Sequence, residues 1–308
     1  MERAVYNRRS RVRHLGAAPS VGFVFYNVDA KGGMERQASQ LAPRLVARGH
    51  RVVAVSTIER ARYGERPTEL QGVELHRIPV TRTPFFEAAA RALFARAGGV
   101  DVIYAVHYRC GLHAARIARP TSTPVVVKFA CSGEHGDFRV MGTERRDELR
   151  VLDRYVCMTD ALKEEALAHG LEASKIVWIP NGVDLAAFAG PRREEPGLVI
   201  FVGRLNAQKR LDVLLRAVAK VPRARLELAG EGEERGALEA LARELGVQER
   251  VSFLGPRSDV AALHARAQVF VLPSASEGLP NALLEALAAG TPTVATAIPG
   301  TQDVARHE

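Results

Sequence analysis

The sequence predicts an α/β protein of two doubly wound domains, each a parallel sheet covered by helices. Three observations carry that expectation. Short β-branched runs alternate with amphipathic helical stretches from end to end, as βαβ units require. Most of these runs are continuously apolar rather than alternating, the pattern of strands buried on both faces. Twelve such runs in 308 residues exceed one comfortable sheet, and IPNGVDLAAFAGPRREEPG (179–197) breaks the series. That stretch is rich in proline, glycine and charge and has no period, so it reads as a connection between domains.

Taken in order, the first series of strands is VGFVFY (21–26), RVVAVS (51–56), VELHRI (73–78), DVIYAV (101–106), PVVVKF (124–129), RYVCM (154–158) and KIVWI (175–179). The second is LVIFVG (198–203), RLELAG (225–230), RVSFL (250–254), QVFVL (268–272) and TPTVAT (291–296). Helical periodicity fills the gaps, as in MERQASQLAPRLVARG (34–49) and EERGALEALARELG (233–246). The division expected is a basic arm at 1–19, an N-terminal Rossmann-like domain at 20–178 and a C-terminal one at 179–308. Ligands of such sheets sit beyond the C-terminal strand ends, so two such domains are expected to face each other across a cleft lined by two sets of loops.

Composition narrows the function classes. Hydrophobic residues make up 47% and charged residues 25%, ordinary for a globular protein. No apolar run reaches the length of a membrane span, and the basic start MERAVYNRRSRVRHLG has no apolar segment after it, so it is not a secretory signal. Three cysteines without CxxC spacing suit a reducing cytoplasm and offer no zinc site. The net charge of +8 allows an anionic partner, but 6% aromatics without basic interleaving gives no nucleic-acid platform.

Three stretches carry candidate chemistry. In SEGLPNALLEALAAG (276–290), Glu277 lies on the exit loop of a buried strand, Pro280 suits the first helical position, and Gly290 stops the helix. By spacing alone this is either a helix start with a dipole-favourable Glu277 and a solvated Glu285, or two carboxylates around a ligand. Carboxylates accept paired hydroxyls well, and the amides from Gly278 onward lie where an anion is favoured. In GRLNAQKR (203–210), Gly203 turns the chain after a strand, and Arg204 and Lys209 are placed to clamp a diphosphate; an exposed basic turn is the other reading. AGEGEER (229–235), with Gly230, is a glycine-rich strand-to-helix turn without the full GxGxxG pattern.

Together these residues resemble glycosyltransferase family four, the retaining enzymes of the GT-B fold. The similarity runs through IPNGVD, FVGRLNAQKRLDVLLRA, LELAGEGEER, VSFLGPRSDV and SEGLPNALLEALAAGTPTVAT, with KGGMERQASQLAPRLVARGHRVVAVS (31–56) matching the family's Gly-Gly-x-Glu start. It covers residues 20–308, and the Glu-x7-Glu pair is its most specific element. The resemblance implies transfer of a sugar from a nucleoside diphosphate sugar with retention. It assigns Arg204 and Lys209 to the donor diphosphate, Glu277 to the donor sugar and Glu285 to the ribose. Gly278, Leu279, Pro280 and Asn281, with Gly203 and Gly230, approach the donor through the backbone, and Gly32 and Gly33 form the facing loop of the first domain. Cationic side chains and a helix start then take the place of a metal; no Asp-x-Asp occurs, and neither metal nor cofactor is expected.

Departures from the family pattern are specific. The family commonly has a histidine after the strand matching PVVVKF, where ACSGEHGDF (130–138) has Ala130 or Cys131. His107 and His135 are the nearby histidines, Glu134 is a further candidate, and Arg210 stands where the family has glycine. The chain also ends before the family's last helix, so a fragment, rather than an unusually minimal domain, is expected, with an unpaired edge or exposed apolar surface near the end of the second sheet.

The expected function is therefore transfer to a glycan or lipid-linked acceptor in polysaccharide or lipopolysaccharide assembly, in the cytoplasm, with a peripheral contact to the anionic inner membrane face open to the arm and to FFEAAARALFARA (85–97). The competing readings are a non-catalytic nucleotide-sugar-binding protein or inactive fragment, and an epimerase or phosphorylase on the same architecture. No signature of a pyridoxal-phosphate lysine supports a phosphorylase, and epimerases lack the Glu-x7-Glu grouping with Arg and Lys.

Overall fold

The structure, a computed structural model, describes residues 18–29, 33–58, 69–79, 83–131, 136–141 and 147–304. All twelve expected strands form, in two parallel sheets. The first holds β1 (Val21–Phe25), β2 (Val52–Ile58), β3 (Glu74–Pro79), β4 (Val102–Ala105), β5 (Val125–Lys128), β6 (Arg154–Cys157) and β7 (Ile176–Trp178), in the order β3-β2-β1-β4-β5-β6-β7. The second holds β8 (Leu198–Val202), β9 (Arg225–Ala229), β10 (Val251–Gly255), β11 (Val269–Leu272) and β12 (Thr293–Ala295), in the order β10-β9-β8-β11-β12. Strands up to Trp178 thus belong to one sheet and strands from Leu198 to the other. The compact units change over earlier: residues 1–128 with 151–153 form one, and 129–150 with 154–308 the other.

Helices supply the crossovers. In the first unit these are α1 (Gly33–Ala47), α2 (Thr83–Arg96) and α3 (Tyr108–Ala118). In the second they are α4 (Asp137–Met141), α5 (Asp160–Ala168), α6 (Leu185–Phe188), α7 (Leu211–Ala219), α8 (Arg235–Glu244), α9 (Val260–Arg266), α10 (Asn281–Ala288) and α11 (Pro299–Gln302). Their apolar stripes meet the apolar strand faces. Leu211, Leu214, Leu215 and Val218 of α7 pack with Ile200, Leu226 and Phe270 in the second core, and a leucine buried this way contributes about 2 kcal/mol.

Helix α2 is a sheet-packing helix. It buries Phe86, Ala90 and Phe94 and leaves Phe85 exposed, so most of its apolar stripe is already covered. No helix among the described residues is long and apolar enough to cross a membrane.

Candidate functional site

In the five-stranded sheet the winding reverses between β8 and β11: β9 and β10 lie to one side and β12 to the other. Crossovers leave that point in opposite directions, so the C-terminal ends of β8 and β11 frame a crevice. The charged residues of GRLNAQKR leave from the first of these ends, and Glu277 leaves from the second.

The β8 exit is rigid where it must be and exposed where it can act. Gly203 N–H donates to the Ala229 carbonyl at 3.0 Å, and Leu205, fully buried, donates to the Glu231 carbonyl at 2.9 Å and accepts from Glu234 N–H at 3.0 Å. Arg204 between them is exposed and, among the described residues, has no ion-pair or hydrogen-bond partner. A short 3₁₀ turn, Ala207–Lys209, follows, and Arg210 sits in the left-handed region at φ 47° before α7 begins. That conformation accounts for glycine as the alternative residue here: a side chain costs about 1–2 kcal/mol in it.

The β11 exit meets this turn. Lys209 Nζ pairs with Glu277 Oε1, and Ser274 Oγ donates to the same oxygen at 2.6 Å. Gln208 binds the loop twice: its carbonyl accepts from Ala275 N–H at 2.8 Å, and its Nε2 donates to the Ser276 carbonyl at 2.7 Å. The turn and loop are thus fastened by main chain, amide and ion pair together. Among the described residues, then, Lys209 is paired with Glu277 and Arg204 is not paired.

Helix α10 starts one residue later than expected. Pro280 is its N-cap, extended at φ −73° and ψ 113°, and Asn281 is the first helical residue. Asn181 Nδ2 anchors this start, donating to the Leu279 carbonyl at 3.1 Å and to Asn281 Oδ1 at 2.8 Å. Gly290 closes the helix at φ 65°, the left-handed conformation of a helix stop. Glu285 is only 6% exposed, which removes the reading of it as a solvated surface acid.

Two glycines answer to close backbone approach. A Cβ at Gly230, itself at φ 149°, would overlap the Gly203 carbonyl oxygen, and one at Gly278 would overlap the Ala130 carbonyl oxygen. The first ties the β9 exit to the β8 exit; the second seats the Glu277–Gly278 loop on the chain following β5. Cys131, at the place where the family pattern has a histidine, is half-buried, and its thiol is pushed up to about 11 by burial and then by the charges of Asp137 and Glu277. It is a neutral thiol and not a histidine-like acid–base group.

Of the first-unit candidates, Gly33 opens α1 and is exposed, and Gly32, Glu134 and His135 lie outside the described residues. His107 caps α3, its Nδ1 accepting from Arg109 N–H at 3.3 Å, and its ring lies 4.2 Å from that of Tyr108. That places His107 at the C-terminal end of β4 in a capping role. The loop after β1 is pinned nearby, with Asp29 held by both Arg77 Nε and Nη2 at 3.0 Å. In the same unit a groove of about 580 Å³ lies at the opposite strand ends, between Ser20, Arg51 and Asp101; parallel sheets bind their ligands at the other end. No group of three metal-ligating side chains occurs among the described residues.

Sequence reasoning missed Ser274, Gln208 and Asn181. A signal existed for Ser274, because Ser-x-x-Glu is the spacing of a capping box. Here the spacing caps nothing: α10 starts only at Asn281, and the hydroxyl holds the carboxylate directly.

Two parallel-sheet units with a charged switch point define a class, the GT-B fold. Anabaena HepE in complex with UDP-glucose superposes with a TM-score of 0.78 at 19% identity, over 93% of this chain and 83% of that one. Sucrose-phosphate synthase from Thermosynechococcus elongatus gives 0.77 at 21% identity, over 92% and 83%. Likeness at such identity carries the fold alone. Sequence models narrow the class: that of Glycosyltransferase Family 4 matches residues 31–187 and that of Glycosyl transferases group 1 matches 184–308. The first spans half of the chain, and the chain belongs to glycosyltransferase family 4. D-inositol 3-phosphate glycosyltransferase of Mycobacterium sp. (strain KMS) is 39% identical over 166 residues, 48% of this chain and 38% of the relative. The same-named protein of Mycobacterium tuberculosis (strain F11) is 37% identical, over 48% and 35%. The match therefore spans little more than a third of these curated relatives.

Proposed function

We propose that this protein is a retaining glycosyltransferase that moves a sugar from a nucleoside diphosphate sugar to a glycan or lipid-linked acceptor, with residues 179–308 as the donor side. The observation that carries the reading is the β8–β11 crevice: Arg204 leaves the end of β8 exposed and, among the described residues, without a partner, and Lys209 of the same exit pairs with Glu277 of the β11 exit. Arg204 and Lys209 take the diphosphate and stabilise the charge that develops on it as the leaving group departs. Glu277 accepts hydroxyls of the donor sugar, and Glu285 those of the ribose. The backbone at Gly203, Gly230, Gly278, Leu279, Pro280 and Asn281 lies close to the donor, aided by the start of α10. Gly32, Gly33 and His107 belong to the first domain's side of the reaction. Side-chain cations stand in for a metal, and the reaction proceeds in the cytoplasm, at the inner membrane face when the acceptor is a lipid.

The relatives guide the choice of substrates. HepE was solved with UDP-glucose, which favours a uridine donor as the first trial, and the name of the mycobacterial relatives puts a phosphorylated inositol among the acceptors to try. The test incubates the purified chain with labelled UDP- and GDP-sugars and a set of acceptors, reads products by mass spectrometry and assigns anomeric configuration by NMR. Product with the donor's configuration, formed equally in EDTA, is expected. An inverted product, or loss of turnover in EDTA restored by a divalent cation, would overturn the mechanism; binding without turnover across the panel would favour a non-catalytic nucleotide-sugar-binding protein.

A further inference from the structure

We infer that Ser274 is a positioning residue that assigns different tasks to the two oxygens of Glu277, reserving Oε2 for the donor sugar. The inference rests on the donor-site reading above and deepens it.

The carboxylate–Cγ torsion of a glutamate is broad and roughly two-fold, so a single cation leaves the carboxylate plane poorly fixed. Lys209 alone would be such a cation, a rotatable point charge. Ser274 changes this. Its side chain is fully buried, its Oγ lies 2.6 Å from Glu277 Oε1, and Lys209 Nζ is on that same oxygen. Two donors on one oxygen restrict the carboxylate plane, and no described contact falls on Oε2. The segment that carries Ser274 is itself fixed, because Gln208 holds Ala275 and Ser276 on its C-terminal side by two hydrogen bonds. A carboxylate oxygen has two lone pairs; those of Oε1 are taken by Lys209 and Ser274, and those of Oε2 remain for hydroxyl groups of a ligand. Orientation of an acceptor toward sugar hydroxyls affects the sugar and not the nucleotide, so Ser274 sets the preference for the glycosylated over the free nucleotide.

The experiment measures affinities of the whole chain for UDP, UDP-glucose, GDP and GDP-mannose by titration calorimetry, for wild type, Ser274→Ala and Ser274→Thr. Loss of one hydrogen bond to a charged group corresponds to a change of about tenfold to a hundredfold. Ser274→Ala is expected to lower the ratio of nucleotide-sugar to nucleotide affinity by that factor, with free-nucleotide affinity unchanged, which also shows that the variant is folded. Ser274→Thr, which keeps the hydroxyl, restores the ratio. A wild-type ratio retained in Ser274→Ala overturns the inference while leaving the donor-site reading intact. A parallel loss of free-nucleotide affinity overturns it too, by showing a structural role. Failure of the wild type to bind any of the four ligands overturns the donor-site reading and the inference with it.

Discussion

At the scale of single residues, the structure separates by burial charged side chains that the sequence presents as one cluster. Arg204 is exposed and, among the described residues, not paired, while Glu285 is buried within α10. Their truncations should therefore differ. Arg204→Ala is expected to lower kcat by about a hundredfold, as removal of a charge-stabilising donor does, with a smaller effect on nucleotide affinity. Glu285→Ala is expected to weaken nucleotide binding about tenfold or more and to leave the turnover of bound donor less changed. Steady-state kinetics with nucleotide titration separate the two, and unchanged kinetics in both would refute the assignment. A second residue acts on stability. His264 is fully buried, neither ring nitrogen has a partner among the described residues, and burial pushes its pKa down to about 4. The unfolded chain then binds a proton that the folded chain does not, so stability falls as pH drops from about 6.5 toward 4, by up to about 3 kcal/mol. In His264→Leu the loss over that window should be smaller by this amount, read from urea unfolding at pH 7, 5.5 and 4.5.

At the scale of elements, most of the architecture was legible and the fastening was not. Continuous runs such as LVIFV and VFVL announce doubly buried strands because no polar residue interrupts them, and each became a strand. Lys209 and Glu277 are 68 positions apart, and nothing local says they touch; their meeting follows from β8 and β11 being neighbours at the reversal of the sheet. Ser274 carries no local signal of its role, because a serine in a strand-exit loop is common. The ring of Pro280 suits a first helical turn, whereas Asn181 holds the start one residue further on. The left-handed Arg210 is a backbone property with no side-chain signature. It sits between the 3₁₀ turn and α7, and its ion pair with Asp212 is half exposed, a geometry that adds little. Arg210→Gly should therefore raise stability by about 0.5–1 kcal/mol, the strain relieved less the extra freedom of the unfolded glycine, measured as a higher midpoint in chemical denaturation.

At the scale of the whole molecule, charge is unevenly distributed. Residues 1–17 contain five arginines and one glutamate, which is +4 of the net +8. Helix α2, whose apolar face is spent on the sheet, adds little for a lipid surface. Any attraction to an anionic leaflet should then reside largely in residues 1–17 and be salt-sensitive. Cosedimentation with phosphatidylserine vesicles at low salt is expected to drop sharply on deletion of residues 1–17, with nucleotide affinity unchanged; retention of vesicle binding would place the contact elsewhere.

The double hold of Gln208 on Ala275 and Ser276 bears on how such proteins can be recombined. The turn at 205–210 and the loop at 273–280 belong to different βα units, yet two hydrogen bonds of Gln208 and the Lys209–Glu277 pair join them. A swap that imports a relative's β11–α10 loop to change donor preference would arrive without its counterpart and lose the seat of its carboxylate. Grafted together as a pair, the two segments form a transplantable cassette whose unit of exchange is defined by three-dimensional fastening and not by contiguity along the gene.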